Sequence, residues 1–369
     1  MSTAVTNPRA RGLGAALSFG LGQWRFVALV AALVVAGGEA YFRLPFFTQR
    51  LEYQPDRDMG GILRPSQRGY VWLANMSLQA PPITLNRDGH RGADTDWSRP
   101  VVLALGDSEW FGAGVEDDQV WTALLQIDLR RELGRDDVQV VNASHPGFGP
   151  AHQALVLRRL LPAHHVDLVL VRVEPHGNFR LPASADRPRE FAAAERRRMV
   201  RRITKFGPYL LDKALAQRDS LIVALVPLFL REARPVSAAN PDTRAHAIWR
   251  EMEPSWLDLA ENAANLGVPL VFVVHDIEGS LAGRVVLEGL ASLIDGRSSL
   301  HLLRIDAATL GLGSLAPADR LQVFRQTLTL VRDPHANPRQ HRLIADAILR
   351  GLRTEGLTIP LQRDRQFAR

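Results

Sequence analysis

The sequence predicts an α/β fold, a parallel sheet covered by helices on both faces. Short runs at residues 101–105, 138–142, 167–173, 268–274 and 301–305 are predominantly apolar, as strands buried on both faces are. Segments of helical period lie between and after them, at residues 121–133, 151–161, 255–266, 281–294 and 338–352. Strands alternating with helices call for right-handed crossovers and a doubly covered sheet. With 369 residues, 46% of them hydrophobic, the chain can bury a substantial core.

Residues 1–47 read as a cytoplasmic tail and signal anchor. Arg9, Arg11 and Arg25 precede the apolar run FVALVAALVVAGG at 26–38, with Trp24 and Tyr41 where interfacial aromatics sit and Arg43 placed to snorkel. A cleaved signal peptide is the competing reading, since the uninterrupted run is shorter than the roughly 20 residues a span prefers. An anchor of this kind places the body of the protein outside the cytoplasm. Residues 48–100 form an extended lead-in, broken by Pro55, Gly60, Gly61, Pro65, Pro81 and Pro82 into short pieces at 70–73 and 83–85. The lead-in is expected to wrap around the main body.

The main domain spans residues 101–352. Between its third and fourth strands lies a helical insertion at about 179–252, with a basic run, ERRRMVRRITK, and an apolar run, SLIVALVPLFL. Residues 353–369 form a basic tail. The net charge of +6 comes without any nucleic-acid reader motif, so nucleic acid is not an expected partner. The absence of cysteine excludes disulfides and thiolate metal sites, and no residue set calls for a cofactor or a metal.

The chemistry gathers at strand ends. The first strand runs directly into Gly106-Asp107-Ser108, with Gly112 and Gly114 following. Open α/β sheets bind ligands outside the carboxyl ends of their strands, where this serine falls. The second strand delivers Asn142-Ala143-Ser144-His145-Pro146-Gly147, and the third leads to Asn178. A late loop, Val331-Arg332-Asp333-Pro334-His335, places a carboxylate and an imidazole before the final helix. A serine hydroxyl needs an adjacent base, for which His335 is the candidate, and the imidazole needs a carboxylate, for which Asp333 is the candidate. A tetrahedral intermediate needs donors aimed at its oxygen, available in the N–H groups of Ser108 and Gly147 and the side-chain amide of Asn178. These are the parts of acyl transfer.

The same blocks, in the same order, resemble the SGNH (GDSL) hydrolase superfamily. Gly106-Asp107-Ser108 with Gly112 matches its first block, Asn142 through Gly147 its second, Asn178 its third and Asp333-Pro334-His335 its last. The lead-in run from Leu85 to Gly92, LNRDGHRG, is similar to a piece preceding the first block in membrane-anchored bacterial members. The resemblance implies a flavodoxin-like three-layer α/β/α sandwich with a five-stranded parallel sheet. It also implies serine-dependent hydrolysis or transfer of an acyl ester carried by a glycan or a lipid. Two departures stand out. Phe179 occupies the place of an aspartate in the third block, and only Pro334 separates Asp333 from His335.

Overall fold

The computed structural model describes residues 24–38, 40, 51–71, 81–175, 241–277, 279–330 and 333–358. The chain divides into two units, Met1–Thr48 with Met199–Glu232, and Gln49–Arg198 with Ala233–Arg369. In the first unit, residues 24–38 are helical, and Trp24, Phe26, Leu33 and Val34 on that helix are exposed. Among the described residues no helix is long and apolar enough to cross a membrane. The basic and apolar runs of the insertion and most of the C-terminal tail lie outside the described residues.

In the second unit the lead-in is structured. Its first two strands, β1 (Tyr53–Asp56) and β2 (Gly60–Leu63), form an antiparallel hairpin. The next two, β3 (Gln67–Gly69) and β4 (Ile83–Leu85), also pair antiparallel. The piece expected at 83–85 is β4; of the one expected at 70–73, Tyr70 carries a β-bridge and residues 72 and 73 lie outside the described residues. Leu51, Leu63, Val71, Ile83 and Leu85 bury themselves against Phe111 and Ala113, which follow the candidate serine. Five apolar side chains too few to form a core alone find one on the main body, so the lead-in packs where the chemistry was expected.

The main sheet comprises β5 (Val101–Leu105), β6 (Gln139–Asn142), β7 (Leu168–Val173), β8 (Leu270–Asp276) and β9 (Leu300–Asp306), all parallel. Their order is β6-β5-β7-β8-β9, which is the flavodoxin-type order with its switch point between β5 and β7. Alternate residues serve different layers because the strand period is two. Val101, Leu103 and Leu105, with Val169, Val171 and Val173, face α3 (Pro150–Leu160), α4 (Pro241–Asn265) and α5 (Leu281–Ile294). Val102, Ala104, Leu168 and Leu170 face α2 (Trp121–Leu133), α6 (Pro317–Thr327) and α7 (Pro338–Thr354). A four-residue helix, α1 (Ser108–Phe111), follows β5, and a small hairpin of β10 (Thr329–Leu330) and β11 (Asp333–Ala336) precedes α7.

One helix boundary differs from the sequence expectation. The helix expected at 255–266 begins at Pro241 and runs through Pro254. A proline inside a helix lacks the N–H that would bond to the carbonyl four residues back, so the sequence expectation starts the helix directly after Pro254. Here Ala245, Trp249, Met252, Trp256, Leu259 and Ala263 hold one buried face across it. Burial along six positions at helical spacing outweighs one lost hydrogen bond.

Candidate active site

Ser108 sits just past the carboxyl end of β5, at the switch point of the sheet. Asp107 caps the turn, its Oδ1 accepting the N–H groups of Glu109 at 2.9 Å and Trp110 at 3.4 Å. Among the described residues the Ser108 N–H has no acceptor, so it is free to meet an incoming oxygen. Gly106 is required for close approach and not for an unusual backbone angle: a Cβ there would lie 2.6 Å from Trp110 Cβ. Trp110 itself is buried, and its carbonyl accepts from Trp121 Nε1 and Asn142 Nδ2, each at 3.0 Å. The turn that carries the serine is thereby fastened to α2 and β6.

His335 reaches Ser108 across 227 positions of sequence, with Nε2 2.8 Å from the hydroxyl Oγ. Its Nδ1 lies 2.5 Å from Asp333 Oδ1, and its backbone N–H donates to the same oxygen at 2.9 Å. A carboxylate only accepts, so the ring proton belongs on Nδ1, which leaves the Nε2 lone pair for the serine hydroxyl. The expected loop is a strand at this point. In extended chain, residues two apart share a side, so Asp333 and His335 face inward while Pro334 between them is exposed. The one-residue spacing that departs from the usual block is what an extended segment needs. Burial pushes the Asp333 carboxyl up, but the His335 ring and N–H outweigh it and hold the group below the ordinary aspartate range.

The loop after β6 comes alongside the serine turn. Asn142 Oδ1 accepts from Ser144 N–H at 3.2 Å, and His145 N–H donates to the Gly106 carbonyl at 3.1 Å. Gly147 is exposed at φ +84, a left-handed conformation that glycine adopts without penalty. Its N–H has no acceptor among the described residues. Asn178, with His176 and Phe179, lies outside the described residues. The structure therefore brings Ser108, His335 and Asp333 into one hydrogen-bonded series and sets the Gly147 loop against the serine turn.

The structure adds residues that the sequence analysis passed over. Arg172, buried on the central strand β7, pairs with Asp107, Glu109 and Glu174. Burial works against its charge, but the three carboxylates more than offset that and raise its pKa above the ordinary arginine value. The signal was an arginine inside the otherwise apolar run LVLVRV, since arginine is almost never fully buried unless paired. Arg91, in the lead-in, donates to the carbonyls of Phe111 (2.7 Å), Gly112 and Val115 (2.7 Å) and pairs with Asp117 at 3.2 Å. It fastens the chain just beyond α1.

Three buried histidines support this edge without meeting the serine. His145 Nε2 accepts Leu63 N–H at 2.8 Å, which leaves Nδ1 to donate to the Pro146 carbonyl at 2.9 Å. His341 Nδ1 accepts Trp121 N–H at 3.4 Å, and His275 Nδ1 stands 3.9 Å from the Glu109 carboxylate. Burial pushes each of the three down to about 3, so they are neutral in the folded protein. The unfolded chain, with histidines near 6.5, takes up protons first as the pH falls. Their contribution to stability is therefore fully present above about pH 6.5 and is lost progressively towards pH 3, by about 2 kcal/mol per ring at pH 5. Urea unfolding should show a clearly lower midpoint at pH 5 than at pH 7.5; equal midpoints would refute the buried neutral assignment.

No family model and no curated protein matches the chain. Among solved structures it is similar to TesA, with 16% identity, a TM-score of 0.39 and coverage of 69% of this chain and 99% of that one. It is similar to the psychrotrophic esterase EstA from Pseudoalteromonas sp., with 14% identity, a TM-score of 0.36 and coverage of 69% and 98%. It is also similar to Axe2, an acetylxylan esterase from Geobacillus stearothermophilus, with 15% identity, a TM-score of 0.37 and coverage of 73% and 97%.

Proposed function

We propose that this chain is a serine ester hydrolase of the SGNH type, working through an acyl-serine intermediate. One observation carries the reading: Ser108 Oγ, His335 and Asp333 are hydrogen bonded in series at the edge of a parallel sheet where ligands bind. Ser108 Oγ attacks the ester carbonyl while His335 Nε2 takes its proton. The tetrahedral oxygen is met by the N–H groups of Ser108 and Gly147 and, by the family resemblance, the amide of Asn178. Collapse expels the alcohol, which receives the proton from His335. Water then attacks the acyl-serine with His335 again as base, and the carboxylic acid leaves.

The substrate class we assign is a small acyl ester carried by a glycan or a lipid. Support for it comes from the resemblance to anchored family members, with the exposed apolar helix at 24–38 consistent with a lipid surface nearby. The same reading places the protein at a membrane through its N-terminal segment, with the second unit extracytoplasmic. Treating the full chain with a fluorophosphonate probe and mapping the adduct tests the chemistry. The adduct is expected on Ser108, absent in His335→Ala, and recovered with carbonate-washed membranes. A folded, unlabelled protein that turns over no short p-nitrophenyl ester would point instead to a glycan- or partner-binding module. A product that appears only with a sugar acceptor would make the enzyme an O-acyltransferase. A labelled protein in the soluble fraction would remove the membrane assignment.

A further inference from the structure

We infer that Arg172 is a positioning residue for the nucleophile, acting through the two residues that flank Ser108. This rests on the hydrolytic reading above. Arg172 lies on β7, the middle strand of the five, and its side chain is 3% exposed. A guanidinium in the centre of a sheet carries a desolvation penalty, which an apolar residue at this position would not incur. Its neighbours on the same strand, Leu168 and Leu170, are both fully buried apolar residues.

The partners explain the placement. Nη1 binds Asp107 Oδ2, on the residue before the nucleophile, and Nη2 binds Glu109 Oε2, on the residue after it. Nη2 also binds Glu174 Oε2 at 2.9 Å, just past the end of β7. One rigid planar group thus ties β7 to both sides of Ser108. Asp107 is the coupling element: its other oxygen receives the N–H groups of Glu109 and Trp110. Its carboxylate cannot rotate to serve Arg172 differently without releasing the turn. The fork geometry of arginine suits this task, because two nitrogens at fixed spacing engage two carboxylates at once. A lysine, a single point charge on a flexible stem, holds one of them well.

The role is positional, since Arg172 touches neither Ser108 Oγ nor His335 in the structure. What it sets is the direction of the Ser108 N–H and Oγ relative to a carbonyl. Displacement of a reacting group by about 1 Å costs about 10²-fold in rate. The loss should fall on kcat and not on KM, because ground-state contacts with the substrate are untouched.

The test compares Arg172→Met, Arg172→Lys and Glu109→Gln with the parent in the full chain. Steady-state turnover of a short p-nitrophenyl ester is normalised to active sites titrated with fluorophosphonate, alongside thermal unfolding. Arg172→Met should lower kcat by about 10²-fold with KM within about threefold. Arg172→Lys should regain about tenfold, and Glu109→Gln, which leaves the Asp107 pair intact, should lose about tenfold. If Arg172→Met does not fold, Arg172→Lys and Glu109→Gln carry the comparison. Folded variants that turn over within about threefold of an active parent would overturn the inference alone, leaving Arg172 a purely structural ion pair. An unlabelled, inactive parent would overturn the hydrolytic reading and this inference with it.

Discussion

Ser108→Ala is expected to lower kcat by about 10⁶, the scale seen when a triad nucleophile is removed. The size follows from the division of labour at the site. Among the described residues Ser108 Oγ is the hydroxyl hydrogen bonded to the imidazole nitrogen whose lone pair is free, at 2.8 Å. The residual rate reflects substrate binding and the oxyanion donors, which the substitution leaves in place. His335→Ala should cost nearly as much, and the double variant little more than either, because the two act as one unit. Folding should be unaffected, as Ser108 is partly exposed and alanine is a good helix former at the start of α1. Rates per folded molecule decide the matter: a loss below about 100-fold would remove Ser108 from the mechanism.

Asp333→Asn is expected to lower kcat by about 10⁴ while preserving the shape of the site. The carboxylate accepts both the ring proton and the backbone N–H of His335. An asparagine amide offers a donor in place of one acceptor, which favours the tautomer with its proton on Nε2. That tautomer has no lone pair for the Ser108 hydroxyl. Because the Asp333 pKa is held below the ordinary range, the carboxylate remains ionised through weakly acid conditions. Its contribution to stability is present above the unfolded aspartate value and is lost as the pH falls through the lower folded value. In Asp333→Asn that acid limb of the stability curve should shrink, and kcat, not KM, should carry the catalytic loss. Turnover within about tenfold of the parent would assign the tautomer to another group.

Much of this architecture was legible in the residues. The strands at Val101–Leu105, Leu168–Val173 and Leu270–Asp276 are legible in the runs at 101–105, 167–173 and 268–274 because central parallel strands are largely apolar on both faces. Trp121–Leu133 and Leu281–Ile294 read as helices to their ends, since each keeps an apolar stripe and stops at a change of pattern. Pro241–Asn265 was cut short because local propensity at Pro254 argues for a boundary, whereas the decision belonged to the buried face around it. The hairpin that holds Asp333 and His335 read as a loop because β10 and β11 are two and four residues long. Strands that short have no periodicity to detect.

By itself the sequence determined which side chains were available for chemistry and which segments could be strands or helices. Residue type, apolar period and glycine content are local properties, and each is complete within a few positions of chain. Only the tertiary structure decided that Ser108 and His335 meet, that His145 receives an N–H from the lead-in, and that the charge inside β7 reaches both neighbours of the serine. Those contacts join residues 63 to 227 positions apart. They arise from the order in which five strands line up, and strand order is set by packing over the whole sheet, beyond any window of sequence.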